Sequence, residues 1–441
     1  MWQLYQQPEV STDFGWAVYG PLLLMVVMFA LTVPVWVSLG FTAIALLMAT
    51  QVLPLSLFGE ALFQGIDAFA LIAIPLFILT GDCLVRTGLS ARLLDVAEAT
   101  MGSLRSGMGT STVLGCGFFS CISGSDAAGA AAVGRMTVSR LVEKGYPLPY
   151  ACALVASGSC TGILIPPSIA YIIIGLVLGI SASTLFLAAA VPGLMIMVSI
   201  MVTNVILNRL HGYENSADAF SFKRWLKAVW DGKWALLIPF IILGGIYSGV
   251  FTPTEAAAVA VCTTMLIGML QGTLKLEDFP KMLESSAKVN GVIVPIIAFA
   301  LPLAQTLAAL EVPQTFVAGI TTLTDNKVLI ILMMLGIFIL AGCVMETTPN
   351  IVILSPIMLP LAQQIGMQDI HFCIFMVTSL GVGFITPPLG LNLFVLSGLT
   401  GQSVIAIASR AIPYVLAMLI VVLLLAFVPE LSLWALQKSS L

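Results

Sequence analysis

The chain has 441 residues, 59% of them hydrophobic and only 9% charged, with a formal net charge of −4. A soluble domain carries about a quarter charged residues, so this composition excludes a water-soluble protein and makes lipid the solvent for most of the chain. Its eight cysteines stand singly, without a C-x-x-C pair, and signal neither a zinc site nor a disulfide framework.

Residues 1–15 are polar and acidic, without the basic start and small-residue cleavage site of a secretory signal. The apolar run from Trp16 is therefore expected to remain as a membrane span. Runs at 16–33, 36–52 and 69–86 predict the first spans as helices, since their length suits a helix and no strand-like alternation occurs. The next apolar region, 106–141, is broken in the middle by Gly124, Ser125 and Asp126. Each half is short for a crossing, so the region predicts a re-entrant helical hairpin with its tip inside the protein. A helix at 150–180 follows, broken around Pro166 and Pro167, and then a span at 183–208.

A polar connection at 209–233 leads to further spans at 235–250, 254–271 and 292–309. A second broken region at 328–364 is interrupted by Glu346, Thr347, Thr348 and Pro349 and predicts a second hairpin. A second broken helix at 371–398, carrying Pro387 and Pro388, and a span at 404–428 complete the chain. Breaks of this kind are tolerated at membrane depth only where protein or a wet cavity receives the freed backbone groups.

The halves repeat. G-I-L-I-P-P-S at 162–168 returns as G-F-I-T-P-P-L at 383–389, an offset of 221 residues. Gly145 and Gly366, Cys152 and Cys373, and Pro192 and Pro413 match at the same offset, and Pro75 matches Pro295 one residue short of it. Anchors at one offset across more than a hundred residues indicate duplication. No Lys or Arg precedes Arg86, and the basic residues cluster at 86–105, 135–144, 209–233 and 275–288. Placing these clusters in the cytoplasm makes the first hairpin enter from the cytoplasm and the second, flanked only by Lys327, from outside. The predicted fold is an all-α polytopic membrane protein of two inverted repeats, 1–208 and 234–441, joined by a cytoplasmic connection.

A helix broken at the midplane frees carbonyls and amides and presents half-helix ends carrying about half a unit charge. The four breaks, at Ser123–Asp126, Thr161–Ser168, Glu346–Asn350 and Gly383–Asn392, supply hard oxygen ligands suited to sodium rather than to a soft metal. A simple proline kink is the competing reading at any one break, but it does not account for two repeat-related pairs. Asp126 and Glu346 are acids at hairpin tips, where function is the default reading. For Asp126, and for Asn350, a helix cap competes with a ligand role. His211 and His371 read as interfacial residues, and Arg135 lies deep enough to face a cavity.

At S-G-S-D-A-A-G-A-A-A-V-G (123–134), G-Y-P-L-P-Y-A-C-A-L-V-A-S-G (145–158), G-I-L-I-P-P-S (162–168), F-T-P-T-E-A-A-A-V-A-V (251–261), M-E-T-T-P-N-I-V-I-L-S-P (345–356) and I-T-P-P-L-G-L-N-L-F (385–394), the chain resembles the large membrane subunit of the tripartite ATP-independent periplasmic transporters, of the dicarboxylate and sialic acid type. The resemblance implies a mobile elevator domain of hairpins and broken helices held by a scaffold of the remaining helices. It implies one sodium site at Ser123, Ser125, Gly162, Ile165 and Pro166 and another at Thr348, Gly383, Thr386 and Leu389, partly through backbone carbonyls. Substrate then sits between them, with Ser125, Asp126, Ser168, Thr347, Asn350 and Asn392 as candidate ligands and Glu346 as a candidate further ion ligand. Asp126 stands where the family often has a small or apolar residue, and Glu346 where aspartate is commoner.

The resemblance further implies sodium-coupled import of a small organic acid across a bacterial inner membrane, with sodium as coupling ion and no cofactor. Its partners would be a small four-helix membrane subunit on a separate chain and a periplasmic substrate-binding protein. Nucleic acid has no place in this reading. No Walker A motif occurs, which leaves ion gradients as the drive. A stand-alone two-repeat carboxylate carrier is the alternative. An intramembrane enzyme would call for a Ser/Lys, Asp/Asp or His-rich constellation within spans, and the two histidines lie 160 residues apart.

Overall fold

A computed structural model describes residues 15–214 and 220–438; the polar leader at 1–14, positions 215–219 of the connection and the last three residues lie outside the described residues. The described chain is helical, without a strand. The first repeat runs through Trp16–Ala30, Val35–Thr50, Leu55–Ile66, Phe69–Arg86 and Leu89–Met101 to the hairpin arms Gly107–Ser123 and Asp126–Glu143. Its broken helix is Leu148–Leu164 with Ile169–Leu178, bent by 40°, and Ala182–His211 closes it. The second repeat runs through Lys233–Tyr247, Pro253–Leu270, Phe279–Ala309 and Val312–Leu323 to the arms Lys327–Val344 and Thr347–Gln364. Asp369–Gly383 and Leu391–Thr400 form its broken helix, and Val404–Phe427 and Glu430–Lys438 follow.

Reciprocal packing makes the repeat three-dimensional. Phe69–Arg86 packs on Pro253–Leu270, while Val35–Thr50 packs on the long Phe279–Ala309. The second arm of each hairpin packs on the second half of the other repeat's broken helix: Asp126–Glu143 on Leu391–Thr400, and Thr347–Gln364 on Ile169–Leu178. Such exchanged pairs are what an axis relating inverted repeats produces. Both Pro-Pro bonds, Pro166–Pro167 and Pro387–Pro388, are cis.

Local chemistry sets the element ends. Thr252 accepts the Glu255 amide and Glu255 accepts the Thr252 amide, a reciprocal cap that starts Pro253–Leu270. Gly124 ends the first hairpin arm at φ +61°, a conformation that glycine alone adopts without steric cost. The cap of the second arm is Ser125, whose hydroxyl accepts the Ala128 amide at 3.4 Å. Asp126 is the first helical residue rather than the cap.

Five short helices lie outside the spans read from the sequence: Leu55–Ile66, Leu89–Met101, Phe222–Asp231, Val312–Leu323 and Glu430–Lys438. In Phe222–Asp231, the exposed Phe222, Leu226 and Trp230 form one stripe beside Lys223, Arg224 and Lys227. Such a helix suits the membrane interface. It docks on Leu89–Met101 through Trp225 Nε1 to Thr100 Oγ1 at 3.2 Å and Arg92 Nη1 to the Asp231 carbonyl at 3.0 Å.

The described start of the connection, up to Glu214, is anchored. The Glu214 carboxylate accepts the Met108 amide at 3.1 Å and the Tyr146 hydroxyl at 2.9 Å, which ties it to the base of the first hairpin. Burial pushes this carboxyl above the usual carboxylate range, and those two donors pull it back. His371 is buried in the first turn of Asp369–Gly383, and its Nε2 lies 2.7 Å from the Leu425 carbonyl. His211 is exposed and stacks on Tyr213.

Candidate ion and solute site

The two hairpin tips meet the two broken helices through glycine. A Cβ on Gly162 would stand 2.6 Å from the Asp126 nitrogen and 2.6 Å from the Ser125 carbonyl carbon. One on Gly383 would stand 2.6 Å from the Ile339 oxygen and 2.7 Å from Gly342 Cα. These glycines hold each hairpin against its own repeat's break at backbone contact, at the tip in the first repeat and within the first arm in the second. Two backbone bonds fasten the pairs: Ile169 N–H to the Gly124 carbonyl at 3.2 Å, and Gly390 N–H to the Cys343 carbonyl at 3.1 Å.

At the first pair, Ser123 is buried and its hydroxyl lies 3.5 Å from the Ser125 carbonyl. Ser125 and Ile165 are half-buried beside the buried Gly162 and Pro166. Ser168 is buried and donates to the Ile163 carbonyl at 2.8 Å, so its hydroxyl braces the break. At the second pair, Thr348 and Gly383 are buried and Thr386 is half-buried. The Thr386 hydroxyl donates to the Val382 carbonyl at 2.7 Å, which leaves its oxygen lone pairs available. The Leu389 side chain is exposed, so only its backbone can serve a cation.

The expected tip at Glu346–Asn350 is resolved more finely. Glu346 precedes the second arm, and Thr347–Asn350 already form its first turn. Asn350 is buried and its amide donates to the Ala341 carbonyl at 3.1 Å and the Met345 carbonyl at 3.0 Å, which ties the two arms together. Asn392 is buried and its amide donates to the Ala156 carbonyl at 3.3 Å.

A cavity of about 730 Å³ brings the two tips together. Ser123 to Asp126 and Ile163 border it from the first pair, and Glu346, Thr347 and Thr348 from the second. Its long wall is the small-residue face Ala127, Ala128, Ala131, Ala132, ending at exposed Arg135. The opposite wall comes from Gly81, Asp82 and Val85 and from Ser285, Val289 and Ile293. Sequence reasoning missed this second wall, because its polar members lie far along the chain from both hairpins and carry no motif. Asp82 is paired with Arg86 at 3.0 Å. That leaves Arg135, Asp126 and Glu346 as the charged side chains of the lining that no ion pair among the described residues engages.

Among the described residues no three His, Cys, Asp or Glu side chains gather as metal ligands. Oxygen donors from hydroxyls and carbonyls are what the tips and breaks present, a set that fits a hard monovalent cation.

Comparisons with known proteins agree with this architecture. Residues 22–431 match the family described as the tripartite ATP-independent periplasmic transporter, DctM component. The C4-dicarboxylate TRAP transporter large permease protein DctM of Pseudomonas aeruginosa is 36% identical, over 84% of this chain and 87% of its own length. The isethionate TRAP transporter permease protein DctMQ of Oleidesulfovibrio alaskensis is 35% identical over 91% of this chain, which spans 64% of that protein. In fold, the chain is similar to the crystal structure of the Alcanivorax borkumensis YdaH transporter, with a TM-score of 0.61, 16% identity, and coverage of 92% of this chain and 97% of that one.

Proposed function

The chain belongs to the DctM component family of the tripartite ATP-independent periplasmic transporters, and on that premise we propose that it is the permease of a sodium-coupled importer of small organic acids. As a member of that family it is a multi-pass protein of the bacterial inner membrane. In this reading a periplasmic binding protein delivers the solute, and a small four-helix membrane subunit completes the complex. Sodium is held at the two tip-and-break pairs, by Ser123, Ser125, Gly162, Ile165 and Pro166 in the first repeat and by Thr348, Gly383, Thr386 and Leu389 in the second.

The observation that carries the reading is the cavity that joins both tips and runs along the first hairpin to Arg135. A guanidinium at its mouth suits a carboxylate, and the hydroxyls of Ser125 and Thr347, which line the cavity beside the tips, suit the solute's polar groups. With the basic clusters in the cytoplasm, this mouth faces inward. Elevator movement fits the division of the cavity walls. The hairpins and broken helices form one wall and the helices Phe69–Arg86 and Phe279–Ala309 the other. The small-residue face at 127–132 gives the moving part a smooth surface to slide on.

Two sodium ions crossing 100 mV down a tenfold gradient release roughly 7 kcal/mol. A dianionic solute would cancel the electrical part and leave about 3 kcal/mol. Either suffices for accumulation without ATP.

The partner requirement is tested in proteoliposomes. The probe is the labelled organic acid that most stabilises the cognate binding protein in a thermal-shift screen. The chain with both partners is expected to take it up only in sodium, and omission of either partner is expected to abolish uptake. Robust uptake by the chain alone would favour a stand-alone carrier.

A further inference from the structure

We propose that Asp126 and Asn392 hold a third monovalent cation, buried where the first hairpin meets the broken helix of the second repeat. The proposal rests on the sodium-coupled reading and adds to it a site that draws on both repeats.

Asp126 is 4% exposed, and its Oδ2 has no hydrogen-bond partner. A buried carboxylate oxygen without a donor or counter-charge is costly unless a cation or a proton completes it. No guanidinium among the described residues pairs with Asp126: Arg86 is bonded to Asp82 at 3.0 Å, and Arg135 stands nine residues along the helix, exposed at the far end of the cavity wall. Asn392 is 0% exposed and its Oδ1 is likewise without a partner. Its amide nitrogen donates to the Ala156 carbonyl and to Cys160 Sγ at 3.5 Å, which fixes the amide's orientation and turns Oδ1 away from those groups.

Asp126 and Asn392 stand near the starts of two helices that pack on each other. Asp126–Glu143 packs along Leu391–Thr400, and a Cβ on Gly134 would stand 3.0 Å from both Leu396 and Leu399. Asp126, Ala130 and Gly134 share a helix face by their spacing of four, and Asn392, Leu396 and Leu399 share the facing one. Both helices start at the level of the tips. Cys160, bonded by the Asn392 amide, lies within electrostatic reach of Asp126. Gly162 presses the first broken helix against the Asp126 backbone, so carbonyls of that break border the same space.

One carboxylate and one amide oxygen make a hard, singly charged site, which matches a monovalent cation such as sodium rather than a divalent or soft metal. The repeat has no charged counterpart. At the 221-residue offset, Thr347 stands for Asp126 and Tyr171 for Asn392, so this would be a single added site rather than a third symmetric pair.

The test uses the complex with its small subunit and binding protein. Uptake is measured against sodium concentration, and the melting temperature of the purified complex is measured in sodium and in choline. Asp126→Asn and Asn392→Leu are each expected to lower the Hill coefficient for sodium by about one and raise half-saturating sodium about tenfold. Each should also shrink the rise in melting temperature that sodium produces. The double variant Asp126→Asn with Asn392→Asp returns the carboxylate to the opposite helix and is expected to recover part of both signals. Should one single variant fail to fold, the other carries the test alone.

If both single variants keep the wild-type sodium curve while Thr386→Ala moves it, the third site is refuted and the parent reading stands. Uptake by the wild-type complex that ignores sodium would refute both.

Discussion

A methyl group added at Gly383 is expected to reduce sodium-driven uptake by about a hundredfold, the scale that a misplacement of about 1 Å costs in a preorganised site. The new Cβ would meet the Ile339 oxygen at 2.6 Å and the Gly342 carbonyl carbon and Cα at 2.7 Å. All three are backbone atoms of the hairpin arm, so no side chain can swing aside. The second hairpin must move off its broken helix, and the proposed ligands Thr348 and Thr386 must part. Gly162→Ala is expected to act alike in the first repeat, against the Ser125 and Asp126 backbone at 2.6 Å. Gly398, in the same broken helix as the second site, has nothing within 4 Å of its Cβ position. Gly398→Ala is therefore the control and should keep uptake near wild type. Uptake is normalised to folded complex. Equal activity of Gly383→Ala and Gly398→Ala would show that this close approach is not needed.

Loss of the Thr386 hydroxyl is expected to raise the sodium concentration for half-maximal uptake about ten- to a hundredfold, from roughly 1–3 kcal/mol of lost ligation. Its hydroxyl hydrogen is given to the Val382 carbonyl, so the oxygen can still accept a cation. Pro387 and Pro388 remain in Thr386→Ala and keep the helix broken, which separates the ligand effect from a change of backbone course. Thr348→Ala removes the other hydroxyl proposed for this site, on the hairpin, and should shift the same curve. A residue that serves only a kink would lower the yield of folded protein and leave the sodium curve in place. An unchanged half-saturation value in both variants would remove these side chains from the site.

Much of the architecture was legible from the sequence because lipid enforces it. Apolar runs, interrupted hairpins and the double prolines follow from the need to satisfy every backbone group at membrane depth. The repeat and the basic clusters supplied the inverted relation independently. The short helices were not legible, since Leu55–Ile66 with 12 residues and Phe222–Asp231 with 10 fall well below the length of a span. The long Phe279–Ala309 was read only from 292, because Lys281, Glu284 and Lys288 give its first turns a soluble character. Both hairpin tips were placed within a few residues. The identity of the cap was not, as Ser125 and Asp126 are adjacent and both suit the role. The cavity wall from Phe69–Arg86 and Phe279–Ala309 depends on tertiary packing between distant helices, which no local pattern encodes.

The central claim is that sodium enters with the solute. It is tested most directly by following labelled sodium and labelled solute together in proteoliposomes holding this chain and both partners. The account predicts at least two sodium ions for each solute molecule, two from the tip-and-break pairs and a further one if Asp126 and Asn392 form a site, with both fluxes falling together in Gly383→Ala. Solute uptake that proceeds undiminished in choline, with no accompanying sodium, would contradict it.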